Sequence, residues 1–166
     1  METPNVYITG LAYDPATELL VWVESSRDLY SITLKPESDK NKVNKRHFIL
    51  SQPELTQIAI DSCGGYIYLS SNYKLIKVRF NGSEQEVVID GFYIVSLTID
   101  QHAQKIYFSD VAGSIKSADL NGNNLRTILV TTHLAHYLTV TKDFIYWQYS
   151  KIAFNTYTIK QIAKNP

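Results

Sequence analysis

The stretch LTIDQHAQKIYFSDVAGSIKSADLNGNNLRTILV, Leu97–Val130, holds four short runs of alternating apolar character: Leu97–Asp100, Ile106–Ser109, Ser114–Leu120 and Leu125–Val130. Alternation with period two marks a half-buried strand. Asn121-Gly122 between the last two runs is a strong hairpin signal, because a tight turn that follows the strand twist needs positive φ at its central residues. This one segment predicts a four-stranded antiparallel meander.

The same pattern recurs along the chain. Leu11-Ala12-Tyr13-Asp14 precedes Leu20-Val21-Trp22-Val23, Ile58-Ala59-Ile60-Asp61 precedes Ile67-Tyr68-Leu69-Ser70, and Leu138-Thr139-Val140-Thr141 precedes Ile145-Tyr146-Trp147-Gln148. The fourth positions, 14, 61, 100 and 141, lie 47, 39 and 41 residues apart. From each of them the slot Trp22, Leu69, Phe108 or Trp147 follows after eight residues in three units and six in the last. Leu75–Phe80 and Glu86–Ile89 flank a second Asn-Gly, at 81–82, and the last unit ends in two expected strands, Ile152–Tyr157 and Thr158–Ala163. Short sheets repeated about every 40 residues bury their faces against one another around an axis. The expected fold is an all-β propeller of four four-stranded antiparallel blades, forming one region over 1–166 with blades near 9–52, 53–90, 91–131 and 132–166. A β-sandwich and a solenoid are the competing architectures.

Composition agrees with strands and narrows the function. Of 166 residues 45% are hydrophobic and twelve are tyrosine, enough for a substantial core built from side chains that pack well on pleated surfaces. Sixteen basic residues balance sixteen acidic ones, so no global field draws the chain to nucleic acid or an anionic membrane. Apolar stretches of about five residues fall far short of the roughly 20 that span a bilayer, and METPNVYITG lacks the basic head and apolar middle of a signal peptide, so no direct membrane insertion of this segment is expected. The lone Cys63 excludes an intrachain disulfide and a zinc site of several thiolates.

The unit Ile106-Tyr107-Phe108-Ser109-Asp110, followed by Ser114-Ile115-Lys116 and Asp119–Asn124, resembles the Tyr-Trp-Thr-Asp (YWTD) blade of low-density lipoprotein receptor type propellers. The resemblance covers nearly the whole chain. Gly10–Pro15, Ile60–Cys63 and Leu138–Trp147 are similar in particular to a single-pass membrane branch of that family. No copy of the tetrapeptide is intact: the versions read Val21-Trp22-Val23-Glu24, Tyr68-Leu69-Ser70-Ser71, Tyr107-Phe108-Ser109-Asp110 and Tyr146-Trp147-Gln148-Tyr149. The resemblance implies an extracellular or ectodomain setting and a face on which protein ligands dock. It also implies six blades where this chain supplies four, so a partial or open ring is expected. A segment of a larger propeller, a shortened paralogue and a pair of copies joined through their end blades all fit.

Catalytic and metal chemistry find little support in the residues. Cys63, beside Gly64-Gly65, has no His and Asp placed with it as a nucleophile needs. His133 and His136 have a spacing that serves a metal on a helix, but here it falls in a linker with no carboxylate or thiol close in sequence. Calcium wants six to eight oxygens, whereas the innermost strands start with Tyr7, Thr56, Val95 and Tyr137. No cofactor is expected, and a six-bladed hydrolase is the least favoured alternative. Lys35–Arg46 reads as a solvated basic loop, and Asn81-Gly82-Ser83 fits a glycosylation sequon, making Asn81 a candidate modification site as well as a turn residue.

In an up-and-down blade the hairpin between second and third strands emerges on the same side as the linker to the next blade. That side collects Phe92, Tyr93, His133, His136, Tyr137, Tyr73, Arg27, Asp110 and Tyr149. Aromatic side chains bury large areas at low entropic cost, which is what recognition hot spots use. The expected function is a noncatalytic module that binds a protein ligand or co-receptor through these residues. The alternative is an assembly piece that self-associates through its end blades.

Overall fold

The computed structural model describes residues 6–34, 45–151 and 156–164, and all of its regular structure is β. The first sheet holds β1 (Ile8–Asp14), β2 (Leu19–Glu24), β3 (Asp28–Thr33) and β4 (His47–Ser51). The second holds β5 (Gln57–Asp61), β6 (Tyr66–Ser71), β7 (Lys74–Arg79) and β8 (Glu86–Asp90), and the third β9 (Ile94–Asp100), β10 (Lys105–Asp110), β11 (Ser114–Asp119) and β12 (Arg126–Val130). In the fourth are β13 (Ala135–Val140), β14 (Phe144–Lys151) and β15 (Thr156–Ala163). Each sheet is an antiparallel meander in chain order. β1 packs on β5, β5 on β9 and β9 on β13, so the sheets succeed one another as the four blades of a propeller.

Among the described residues the fourth blade has three strands. β14 continues to Lys151 and pairs with β15 from Phe144↔Ala163 to Lys151↔Thr156, so β15 crosses the Tyr157/Thr158 boundary expected between two strands. No Gly, Pro or Asn-Gly stands within residues 156–163 to break the run. The other end of the expected third strand, at 152–155, lies outside the described residues, as does most of the basic stretch 35–44. Arg46 at the close of that stretch is paired with Glu24 at 2.9 Å and lies 4.5 Å over the Tyr30 ring.

Every interface between blades repeats one arrangement. A cluster joins Val21, Val23 and Leu29 of the first blade to Ile67, Leu69 and Ile76 of the second. Another joins Tyr68 and Leu75 to Ile106 and Phe108, and a third joins Tyr107 and Ile115 to Ile145 and Trp147. The second-strand slot noticed in the sequence therefore points toward the preceding blade. Leu69 and Phe108 are completely buried there, and Trp147 is 4% exposed. Trp22, with no preceding blade among the described residues, is only half-buried and turns its Nε1–H to Glu24 at 2.9 Å. Polar links cross the same interfaces. Tyr68 donates to the Leu120 carbonyl at 2.9 Å, Ser109 to that of Ala135 at 2.6 Å, and the Leu138 N–H donates to Ser96 at 2.8 Å. Burial pushes the Tyr68 hydroxyl pKa up, so it remains a donor.

The recurrent aspartates close the turn after each innermost strand. Asp14 accepts from the Ala16 N–H and the Thr17 hydroxyl, Asp61 from the Cys63 N–H, and Asp100 from the His102 and Ala103 N–H groups. Burial alone would raise the Asp14 and Asp100 carboxyls. Hydrogen bonds outweigh it and hold both below the ordinary value, from Thr17, Ser62 and the local backbone at Asp14, and from Lys164 and the turn amides at Asp100. In the fourth blade Thr141 substitutes, accepting from the Phe144 N–H at 3.2 Å.

The Asn-Gly turns depart from the expected tight hairpin. Within each Asn-Gly pair only the glycine has positive φ, +85° at both Gly82 and Gly122, with a second positive φ two residues on at Glu84 (52°) and Asn124 (55°), while Asn81 and Asn121 accept a hydrogen bond from the N–H two residues on. Each loop is a turn followed by a left-handed glycine, wider than a two-residue hairpin. A Cβ at Gly82 would lie 2.9 Å from the Ile49 carbonyl oxygen, and one at Gly122 would overlap that of Val88, so each turn presses its backbone on the outer strand of the preceding blade. Asn81 is exposed at this tip and also accepts the Ser83 hydroxyl at 2.7 Å.

Candidate protein-recognition face

Backbone hydrogen bonds tie the linkers to the hairpins between second and third strands, which places both on one side. Ser25 N–H donates to Tyr7 O at 2.8 Å, Leu55 N–H to Ser26 O at 2.8 Å, Gly91 N–H to Tyr73 O at 2.9 Å, and Thr131 N–H to Gly113 O at 2.6 Å. In the second blade the hairpin has two residues, Asn72 and Tyr73, at φ 46° and 63°. A two-residue turn of this hand matches the strand twist, and it forces the bulky Tyr73 into a conformation that such residues seldom adopt. The consequence is a tyrosine 57% exposed, with the Tyr93 ring edge-on at 5.4 Å.

A cleft of about 370 Å³ opens on the same side between the third-blade hairpin (Val111–Gly113) and the linker Thr131–Leu134, with His136 at its wall. Thr131 braces the wall by donating to the Gly113 carbonyl at 2.8 Å. The His133 ring stands edge-on to Tyr149 at 4.6 Å, and its Nδ1 is 2.8 Å from the Thr132 hydroxyl. Val111 and Leu134 are exposed at the rim. Tyr137, at φ 51° in the irregular part of β13 and 76% exposed, stands 6.2 Å from the His136 ring.

Six of the nine residues singled out from the sequence fall into two sets. Tyr73 and Tyr93 form one surface pair, and His133, His136, Tyr137 and Tyr149 gather around the cleft. Phe92 turns inward, meeting Phe108 edge-on at 5.7 Å with the Lys116 ammonium 5.1 Å from its ring. Asp110 is buried, accepting from the Ser114 N–H at 3.0 Å to close its own hairpin. Arg27 is exposed, and its carbonyl accepts from Gln52. Gly113 and Thr131, which shape the cleft, were not among them. Their only sequence signal is a glycine in a hairpin and a threonine before a linker. Among the described residues no three His, Cys, Asp or Glu side chains come together as a metal site. Cys63 is exposed in the turn between β5 and β6, away from this face.

The architecture is thus a four-bladed propeller whose linker side carries tyrosine, histidine and aliphatic surface. No family model matches the sequence. It is similar to the cueball proteins: 24% identical over 157 residues to that of Drosophila yakuba, 28% over 160 residues to that of Drosophila virilis, and 24% over 161 residues to that of Aedes aegypti. The matches cover 85–87% of this chain and 24–25% of those proteins, so the chain spans about a quarter of the length of these curated relatives. Among solved structures, a chain of a nidogen–laminin complex superposes with a TM-score of 0.76 at 19% identity, over 89% of this chain and 58% of that one. The computationally designed protein Ika4 superposes with a TM-score of 0.67 at 11% identity, over 98% of this chain and 95% of its own. These likenesses establish the propeller fold.

Proposed function

We propose that the chain is a noncatalytic protein-binding module, a divergent relative of the YWTD propellers that corresponds to part of the extracellular region of a cueball-like receptor. The observation that carries this reading is the exposed Tyr73 ring backed by the half-buried Tyr93, set in the same side of the molecule as the cleft edged by Val111, Leu134 and His136. Rings held by a rigid hairpin lose little entropy on binding, and the neighbouring cleft admits a side chain of the partner. The likeness to a propeller from a nidogen–laminin complex supports a protein as the ligand, and it supports an extracellular setting. Tyr7, Thr56, Val95 and Tyr137 at the inner strand starts favour binding over metal-dependent hydrolysis.

The test is a binding screen of the folded chain against an array of secreted proteins and ectodomains from an arthropod, followed by substitution. For a true ligand, Tyr73→Ser with Tyr93→Ser should lower affinity at least tenfold while the melting temperature stays put. Phe92→Ala should instead lower the melting temperature, because that ring belongs to the packing against Phe108. A ligand indifferent to both tyrosines and to Tyr137→Ser would move recognition off this face.

A further inference from the structure

Two slots in the blade pattern have one member each that nothing covers among the described residues. In the third-strand slot, Leu29, Leu75 and Ile115 are completely buried, while Ile159 is 78% exposed. In the second-strand slot, Leu69, Phe108 and Trp147 are buried, while Trp22 is half-exposed. The buried members meet one another: Leu29 shares a cluster with Leu69, Leu75 with Phe108, and Ile115 with Trp147. Ile159 and Trp22 are the two halves of a fourth such pair, left at opposite ends of the chain.

The rows around them repeat the logic. Leu11, Trp22, Tyr30 and Phe48 lie in register across the first blade, with Trp22 stacked on Tyr30 at 6.0 Å and Phe48 edge-on to Tyr30 at 5.6 Å. Leu11 and Phe48 are 60% and 58% exposed, so this row presents open apolar surface. On the fourth blade, Tyr146 occupies the slot of Tyr68 and Tyr107 and is flanked by Thr139 as Tyr107 is by Thr98. Tyr68 donates to the carbonyl just past the third strand of the next blade, at Leu120; the same place in the first blade is the carbonyl of Leu34.

We infer that two copies of this chain associate head to tail, the outer face of the fourth blade of one receiving the outer face of the first blade of the other, with Ile159 against Trp22. Among the described residues each copy offers the half that the other lacks, which makes a second copy the occupant of this proposal, and the contact continues an interface that the chain already builds three times. Three aromatic rings and Leu11 on the first-blade face, each ring able to bury on the order of 150–250 Å² when fully covered, leave roughly 200–400 Å² to gain beyond what is already buried. That is a substantial share of the roughly 800 Å² per partner of a standard interface. A contact between unlike faces closes when two of them form a ring. The inference is independent of the linker face, which stays open in such a pair.

The experiment is sedimentation equilibrium on the 18.9 kDa chain over a wide concentration range. A twofold mass at high concentration is expected, with Trp22→Glu and Ile159→Glu each weakening self-association at least tenfold. Ile159 is so exposed that its substitution leaves the fold unaffected, which guards against a misfolded Trp22 variant. Mixing the two variants should restore a dimer, because the mixture retains one intact fourth-blade face and one intact first-blade face. A monomer at all concentrations overturns the inference, and so does an Ile159→Glu protein that still dimerises, since that requires like faces to meet.

Discussion

Phe108→Ala and Trp22→Ala remove side chains from the same slot of the repeat, and the first should cost more. Phe108 is completely enclosed, between Leu75 and Tyr68 of the second blade and the edge of Phe92. Its truncation loses the transfer free energy of the ring and leaves a cavity that flanking strands cannot collapse, a cost of about 3–5 kcal/mol. Trp22 is covered on one side only. With about half of its 150–250 Å² removed from water, at roughly 25 cal/mol/Å², the loss is about 2–3 kcal/mol. No cavity is added, because the open side is solvent. Urea denaturation at a concentration where the chain is monomeric measures both, and Phe108→Leu provides a milder variant should the alanine protein be too unstable to fold. A Phe108→Ala cost below about 1 kcal/mol would show that the blades are misaligned. Equal costs at the two positions in the monomer would show that the outer face of the first blade is covered after all.

Two further outcomes follow from the turns. Asp14 and Asp100 have carboxyls lowered in the folded chain, so their contribution is full above the ordinary aspartate range near pH 4 and is lost as the pH falls through the lowered folded values; melting temperature should therefore drop on acidification below pH 4, and less steeply in Asp100→Asn, which starts lower. Gly122→Ala should cost more than the 1–2 kcal/mol of a left-handed alanine, because the Val88 carbonyl must also move, and more than Gly82→Ala, where the approach is looser; equal effects in thermal melts would mean that backbone conformation alone matters.

The repeat was legible because its interfaces demand the same residue class at the same offset from each turn. A buried aspartate eight residues before a large apolar side chain recurs at Asp14, Asp61 and Asp100, and the structure gives both positions their reason, a turn to cap and a neighbouring blade to meet. Side-chain direction at linkers was not legible. Phe92 and Tyr93 are adjacent aromatics of similar size, and nothing in the sequence says which one enters the core; the decision falls to the Gly91 backbone, whose N–H together with that of Phe92 is fixed on the Tyr73 carbonyl. Asp110 ends a strand beside a hairpin, a position that suggests surface, yet a carboxylate that caps its own turn goes inward. The expectation of a fourth strand divides the run 156–163, although no turn residue stands within it.

The glycine turns that rest on the preceding blade have a bearing on how such a sequence can drift. At Gly82 and Gly122 the distance between neighbouring blades is gauged by main chain against main chain, with no side chain in between. A gauge of that kind survives replacement of almost any side chain except the glycine itself. The tetrapeptide could then wander to Tyr-Leu-Ser-Ser in one blade and Tyr-Phe-Ser-Asp in the next without altering the pitch at which the blades succeed one another. The least conspicuous residue of the unit would then be the one with least freedom to change.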